Sequence, residues 1–426
     1  MPEIIPFRGV RYNQGLVHLD EVVAPPYDVI SPEQQQKLYE RNPHNVVRLI
    51  LGREEDRYGA AAKHLKEWMG QSILTRDEKP ALYVLWQTFN VGDSGSVTRK
   101  GFIALCRLEE FEKQVVLPHE KTLAKPREDR FKLFKATNSN FSQVFSLYSD
   151  PEHEIDVVLN GLSNSPPAAD VVFEDVQNRL WEIRDADAIR RIQHLMQSKQ
   201  VLIADGHHRY ETALAYRDFK RSQNPNHNGR ELYNYVMMFF TNVDDYGLVI
   251  FPTHRVVHSL ESFNPKSFLQ KLENNFLLRE YKDRESLITA LGVSPVRSFG
   301  LTMRGVQGLY LLTLKPTISV NDLVADDLPR EVKDLDVTVL HVAVLRDILG
   351  ISAEAQEQKR SLSYVREASE ACEMVSNGQA HLAFLMNATR IEEVRGVARA
   401  GHTMPQKSTY FYPKLLSGLV LNIMSE

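Results

Sequence analysis

Residues 201–216 read VLIADGHHRYETALAY. The apolar run Val201, Leu202, Ile203 has the length and composition of a short buried strand, and residues 210–216 have helix-forming composition. Between them, Gly206 gives the backbone the freedom for a tight turn. A strand that turns at once into a helix leaves free N–H groups and the positive end of the helix dipole at the junction, which is a natural place for an anion. This junction also carries Asp205, His207, His208 and Arg209. Adjacent side chains diverge, so one imidazole is free to face a pocket while the other braces the turn. Histidines so placed suit phosphate contact, metal ligation or proton transfer near neutral pH. Asp205, at the end of the strand, suits Mg²⁺ coordination or the orientation of an imidazole.

The rest of the chain bounds what this centre can serve. Its 426 residues are long for one core and imply two or three domains. With 43% hydrophobic and 25% charged residues, the composition is that of a globular protein. A net charge of −4 and a pI of about 6.4 supply no global basic field for nucleic acid or anionic lipid. Cys106 and Cys372 are isolated from each other and from any CxxC pattern, which speaks against a disulfide framework and fits a reducing cytoplasm. The N-terminal MPEIIPFRGV has no signal-peptide core, and no long apolar stretch follows, so a cytoplasmic location without a membrane span is expected.

Ser31-Pro32-Glu33 announces a helix over 32–40, 46–51 reads as a strand, and 57–75 as an amphipathic helix. Residues 81–90 and 99–107 read as a hairpin, 171–184 as a second hairpin, and 186–198 as a helix leading to the central strand. Beyond the motif, 233–242 and 247–257 read as paired buried strands. From 262 to 330 the pattern is two helices and then strands at 297–303 and 308–314. Residues 335–348 and 364–374 read as helices, 381–387 as a strand and 390–399 as a helix. Strands and helices alternate without βαβ regularity, which predicts an α+β fold with a mixed sheet around the central motif. The expected divisions are 1–165, 166–260 with DGHHR, and 261–426.

Four further clusters carry chemistry-bearing residues. His119-Glu120-Lys121-Thr122, followed by Lys125 and Arg127, offers phosphate clamps and a carboxylate base, although such a run also suits a solvated face. Ala24-Pro25-Pro26-Tyr27-Asp28 is a stiff turn that fixes Tyr27 and Asp28 in one direction. Pro252-Thr253-His254-Arg255 places an imidazole and a guanidinium at a strand edge. Residues 405–414, PQKSTYFYPK, interleave donors with aromatic rings and suit either a ligand wall or a core strand. The Walker loop, GxGxxG after a strand, and GxSxG are all missing, so a phosphate site here is of another type.

The ordered motifs PFRGVRYN, APPYDVIS, NPHNVVRLILG, HEKTLAKPREDR, ADGHHRYETALAYR, PTHRVV and MPQKSTYFYPKL, from residue 6 to about 421, resemble a widespread prokaryotic family labelled as a domain of unknown function. More locally, the apolar strand, the run Asp205-Gly206-His207-His208-Arg209 and the helix after it resemble box II of the ParB, sulfiredoxin and free-serine-kinase superfamily, in the version carried by archaeal free serine kinases. That resemblance implies a ParB/sulfiredoxin-like nucleotide-binding core and a kinase using ATP or ADP with Mg²⁺, its acceptor free L-serine. Gly206, His207, His208 and Arg209 would then cradle phosphates, with Asp205 placing Mg²⁺ or orienting a histidine. Glu120 would take the hydroxyl proton, with Asp28 as its rival, and Lys121, Arg127 and Lys407 would neutralise charge. Tyr27, Asp28, His254 and Arg255 would meet the substrate. Two other classes stay open: a ParB-like nucleotide-binding regulator, and a metal-dependent phosphohydrolase using the histidine pair. The acidic pI and the lack of a helix-turn-helix signal weigh against nucleic acid as a partner.

Overall fold

The computed structural model of the protein describes every residue except 93–94, 121–123, 163–164, 295–296, 325–326, 359 and 425–426. The described chain forms two compact units, one of residues 1–118, 122–249 and 413–426, the other of residues 119–121 and 250–412. Residues on both sides of position 165 thus share the first unit, because Leu82–Asn90 pairs with Val176–Ile183 in one sheet.

The α+β class expected from the sequence is the class the chain adopts, and the large sheet of the first unit is mixed. At its centre lies Tyr235–Asn242, a strand buried along its whole length, as a near-continuous apolar run requires when both faces are covered. It runs antiparallel to Ser96–Arg107 and parallel to Val144–Tyr148. Beyond Ser96–Arg107 come Leu82–Asn90, Val176–Ile183 and Ala169–Phe173, each antiparallel to the strand before it. On the other side, Val201–Asp205 pairs antiparallel with Val144–Tyr148 and parallel with Val116–Leu117. Its register shifts between Ile203 and Asp205, a bulge that redirects the end of the strand just before the motif.

Helices follow their sequence signals closely here. Ser31 caps Pro32–Arg41 by accepting the Gln34 N–H at 3.2 Å, and Asp185 caps Ala186–Gln197 by accepting that of Ala188 at 2.8 Å. Ile189, Ile192 and Met196 form one buried stripe on the latter helix and join a core that contains Phe102, Phe240 and Tyr210. The motif helix spans His207–Gln223. Among the described residues, no helix is long and apolar enough to cross a membrane.

The second unit is built on an antiparallel sheet in the order Phe276–Tyr281, Leu309–Leu314, Ser298–Met303, Leu382–Leu385, His254–Val257, Leu362–Val365. Its core gathers Phe276, Phe299, Leu340 and Phe384.

Four local expectations need correction. Residues 46–51 contain a short helix, Val47–Ile50, entered through a turn in which Asn45 Oδ1 accepts the Val47 N–H at 2.9 Å; that local turn overrides the strand-forming composition. The 247–257 run does not pair with 233–242, since His254–Val257 takes its partners from residues 362–365 and 382–385. Residues 364–374 divide into the strand Leu362–Val365 and the helix Ala368–Ser376, and 262–330 holds an additional strand, Phe276–Tyr281.

Candidate functional site

In the first unit, the strand Val201–Asp205 ends at Gly206, which sits in the left-handed region at φ 91° and opens the helix His207–Gln223. The N-cap residue is Gly206, which has no side chain to offer, and the helix start carries the positive end of the helix dipole. A Cβ on Gly206 would lie 2.9 Å from Cζ and Nε of Arg209. Arg209 is therefore folded back over the turn, and only glycine leaves it room. The guanidinium donates to the carbonyl of Gln143 and lies 3.8 Å from Asp205 Oδ1. On the other carboxylate oxygen, Lys414 Nζ approaches to 3.0 Å. Arg99 feels the same carboxylate: burial lowers its pKa to about 9, with Asp205 pulling it back up. His207 is buried and His208 half-buried. Gln143 is fully buried, and neither Nε2 nor Oε1 of its side chain has a hydrogen-bond partner.

Tyr27 and Arg130 extend this cluster. The Arg130 guanidinium carbon lies 3.9 Å from the centre of the Tyr27 ring, a cation–π contact. Burial and then Asp28 push the Tyr27 hydroxyl up to about 12, against the opposing pull of Arg130 and Arg209. Burial alone would raise the Asp129 carboxyl, yet Arg130, Tyr58 and Arg57 hold it below its usual range. Arg127 is exposed and pairs with Glu211 of the motif helix at 3.1 Å. Asp28 is exposed next to Tyr27. The first unit thus gathers Tyr27, Arg130, Asp205, Gly206, Arg209 and Lys414, while Lys121 lies outside the described residues.

Glu120, Lys407, His254 and Arg255 belong to the second unit. There Glu120 Oε1 accepts the Ser408 N–H at 3.1 Å, and Met404 donates its N–H to the His119 carbonyl at 2.7 Å. His119 is fully buried, with Nε2 2.9 Å from Thr409 Oγ1, so the start of the charged run is packed rather than solvated. Arg255 is buried to the same degree as the core, donating from Nη2 to the Lys407 carbonyl at 3.0 Å and from Nε to His341 Nε2 at 3.4 Å. Burial lowers the Arg255 pKa to about 10, with Tyr364 and Glu120 opposing. Burial and then Arg255 bring His254 down to about 4, consistent with a neutral ring whose Nδ1 accepts the Met386 N–H at 3.1 Å. Lys407 lends its backbone carbonyl to Arg255 and sits at φ 57°.

Local sequence could not reveal Lys414 as the partner of Asp205, because 209 residues separate them. Gln143 carried no signal at all. A carboxylate-histidine group able to hold a cation occurs elsewhere among the described residues: one ligand atom each from His153, Asp156 and Asp245 lies within 4.8 Å of the others.

The fold and junction define an α+β protein with a strand–turn–helix site suited to an anion. The chain belongs to the family described as "Protein of unknown function (DUF1015)", which matches residues 4–338. No curated protein matches its sequence at a significant level. Solved structures similar to it include a conserved hypothetical protein from Pyrococcus furiosus, 13% identical, covering 70% of this chain and 87% of that one with a TM-score of 0.33. A mutant free serine kinase in complex with ADP is 13% identical, covers 70% of this chain and 84% of its own, and has a TM-score of 0.35. SbnI with a C-terminal truncation, from Staphylococcus aureus, is 10% identical over 75% of this chain and 87% of its own, with a TM-score of 0.35.

Proposed function

We propose that the protein is a nucleotide-dependent phosphotransferase that moves a phosphoryl group from ATP or ADP to the hydroxyl of a small metabolite, with free L-serine as the acceptor. The observation that carries this reading is the start of the helix His207–Gln223, entered through left-handed Gly206 and flanked by Arg209 and Lys414. Phosphoryl transfer asks a protein mainly for positioning and charge neutralisation, and backbone N–H groups beside fixed guanidinium and ammonium groups supply both. The unpartnered amide of Gln143, on the residue that holds Arg209, adds unused polar capacity next to the turn. The acceptor's identity comes from the resemblance of DGHHR to the free-serine-kinase box.

In this reading the N–H groups of His207, His208 and Arg209 receive phosphate oxygens, and Arg209 and Lys414 balance their charge. His208, half-buried at the helix start, contacts the donor or the transferred group. The P–O bond to the departing nucleotide breaks as the acceptor oxygen bonds to phosphorus, and the hydroxyl proton passes to a carboxylate. Within this unit Asp28 is the candidate for that carboxylate; the other carboxylate the sequence pattern offers, Glu120, belongs to the second unit. Magnesium, when bound with the donor, supplies further charge neutralisation. Asp205 does not fit as its ligand, because one oxygen faces Lys414 and the other faces Arg209. Its role here is to hold those two cations in place.

Calorimetric titration of ADP into the intact protein tests the cradle. Saturable binding that weakens at least about tenfold in Arg209→Met supports it; no binding to the wild type removes it. Under turnover conditions Glu120→Gln and Asp28→Asn then separate the two bases, since loss of the base lowers kcat with donor binding kept.

A further inference from the structure

The second unit contains a cavity of about 220 Å³ that the proposed phosphotransfer does not use. We propose that this cavity binds a small carboxylic acid with a branched or ring-shaped apolar tail, its carboxylate received by Thr338 Oγ1 and His341 Nδ1.

Thr338 and His341 both line the cavity and stand three positions apart on one helical stretch, so they share a face. Thr338 is 2% exposed, yet its hydroxyl has no hydrogen-bond partner. It does not even make the back-bond to the preceding turn that a helical threonine usually takes. A buried hydroxyl left unmade costs on the order of 1–3 kcal/mol, which a ligand oxygen would recover.

The tautomer of His341 follows from its neighbour. Arginine only donates, so the contact from Arg255 Nε makes His341 Nε2 an acceptor and puts the ring proton on Nδ1. Burial and then Arg255 push the His341 pKa well below its usual value, which keeps the ring neutral. The Thr338 hydroxyl and the His341 Nδ1–H can both donate from one face, which suits an oxygen-rich ligand group. Arg255 behind the imidazole favours that group as an anion, and Arg346 at the rim adds a second cation beside Asp347. Glu357, exposed on the rim, is the opposing charge.

The remaining walls set the tail. Val332, Val342 and Met404 are buried apolar side chains lining the same space. The volume is below the ~300–1,000 Å³ of drug-sized sites, so the ligand is a compact acid. Residues 340–346 form a π-helix, and the wider turn, which recurs at functional sites, carries His341 and Val342.

The test titrates the full chain by calorimetry with acetate, 3-methylbutanoate, 4-methylpentanoate and benzoate, and with 3-methylbutylamine as the charge-reversed control. The proposal expects saturable one-to-one binding of at least one branched or ring-bearing acid, none of the amine, and at least about a tenfold weaker Kd in Thr338→Val. That substitution keeps side-chain shape, so folding is preserved; His341→Gln, checked by its melting temperature, provides the second variant. Failure of every acid to bind, equal binding of the amine, or an unchanged Kd in Thr338→Val would overturn the assignment. Because binding is read without nucleotide, the result is separate from the fate of the phosphotransferase reading.

Discussion

Lys414 Nζ lies 3.0 Å from Asp205 Oδ2, so a residue near the C-terminus completes the charge balance at the end of the motif strand. Both side chains are mostly buried, at 15% and 19% exposure. Breaking such a charge-assisted contact by removing one partner leaves the other desolvated and unpaired. Lys414→Met should therefore cost about 1–3 kcal/mol in chemical unfolding and also weaken ADP binding. Asp205→Asn together with Lys414→Met should be less damaging than the sum of the two changes. Strict additivity in that double-mutant cycle would show that the pair does not act as a unit.

Gly206 gives the sharpest steric prediction. At φ 91°, with Arg209 atoms 2.9 Å from the position of a Cβ, Gly206→Ala should lose about 1–2 kcal/mol from the backbone alone and displace the guanidinium as well. Gly161, exposed near the end of the helix Glu154–Leu162, has open space around its Cβ position and serves as the contrast. Gly161→Ala should be neutral or stabilising by up to about 1 kcal/mol, with ADP binding unchanged. If both substitutions behave alike in thermal unfolding and in ADP titration, the turn is not held as described.

His208→Ala should leave the melting temperature nearly unchanged and lower turnover by about 10²–10⁴-fold, the range of a lost acid–base or charge-stabilising contact. His207, at 6% exposure, is packed into the first unit, so His207→Ala should lower stability as well as rate. Near-normal turnover in His208→Ala would take that imidazole out of the chemistry.

The motif strand and helix were legible because apolar run, turn glycine and helix formers follow one another within a few residues. The capping residue was equally plain at Ser31, where the chemistry is local. Composition misled at residues 46–51: VVRLIL has strand character, but Asn45 anchors a turn on the Val47 N–H and the segment is helical. Pairing misled at His254–Val257, since its partners lie more than a hundred residues downstream and nothing local specifies them. For the same reason sequence showed Asp205 and Arg209 as one group but not the arrival of Lys414 or the orphaned amide of Gln143.

His254 predicts a pH dependence in the second unit. Its pKa falls from 6.5 to about 4, chiefly through burial, so between those values the folded chain binds fewer protons than the unfolded one. The neutral ring's contribution is complete above pH 6.5 and is lost as the pH falls toward 4. Protonation would also break the bond in which Nδ1 accepts the Met386 N–H. The stability difference between wild type and His254→Gln should thus shrink by up to about 3 kcal/mol from pH 7 to pH 4 in urea unfolding. A difference that stays constant, or widens in acid, would mean that His254 is already charged in the fold.

The central claim is that the strand–turn–helix junction transfers a phosphoryl group. Its most direct test incubates the full chain with Mg²⁺, ATP or ADP, and L-serine among a set of small hydroxyl metabolites, and identifies products by mass spectrometry. The account predicts a phosphorylated acceptor, O-phosphoserine, formed in proportion to nucleotide consumed and missing with Arg209→Met. Nucleotide hydrolysis without a phosphorylated acceptor, or no turnover while nucleotide stays bound, would contradict it.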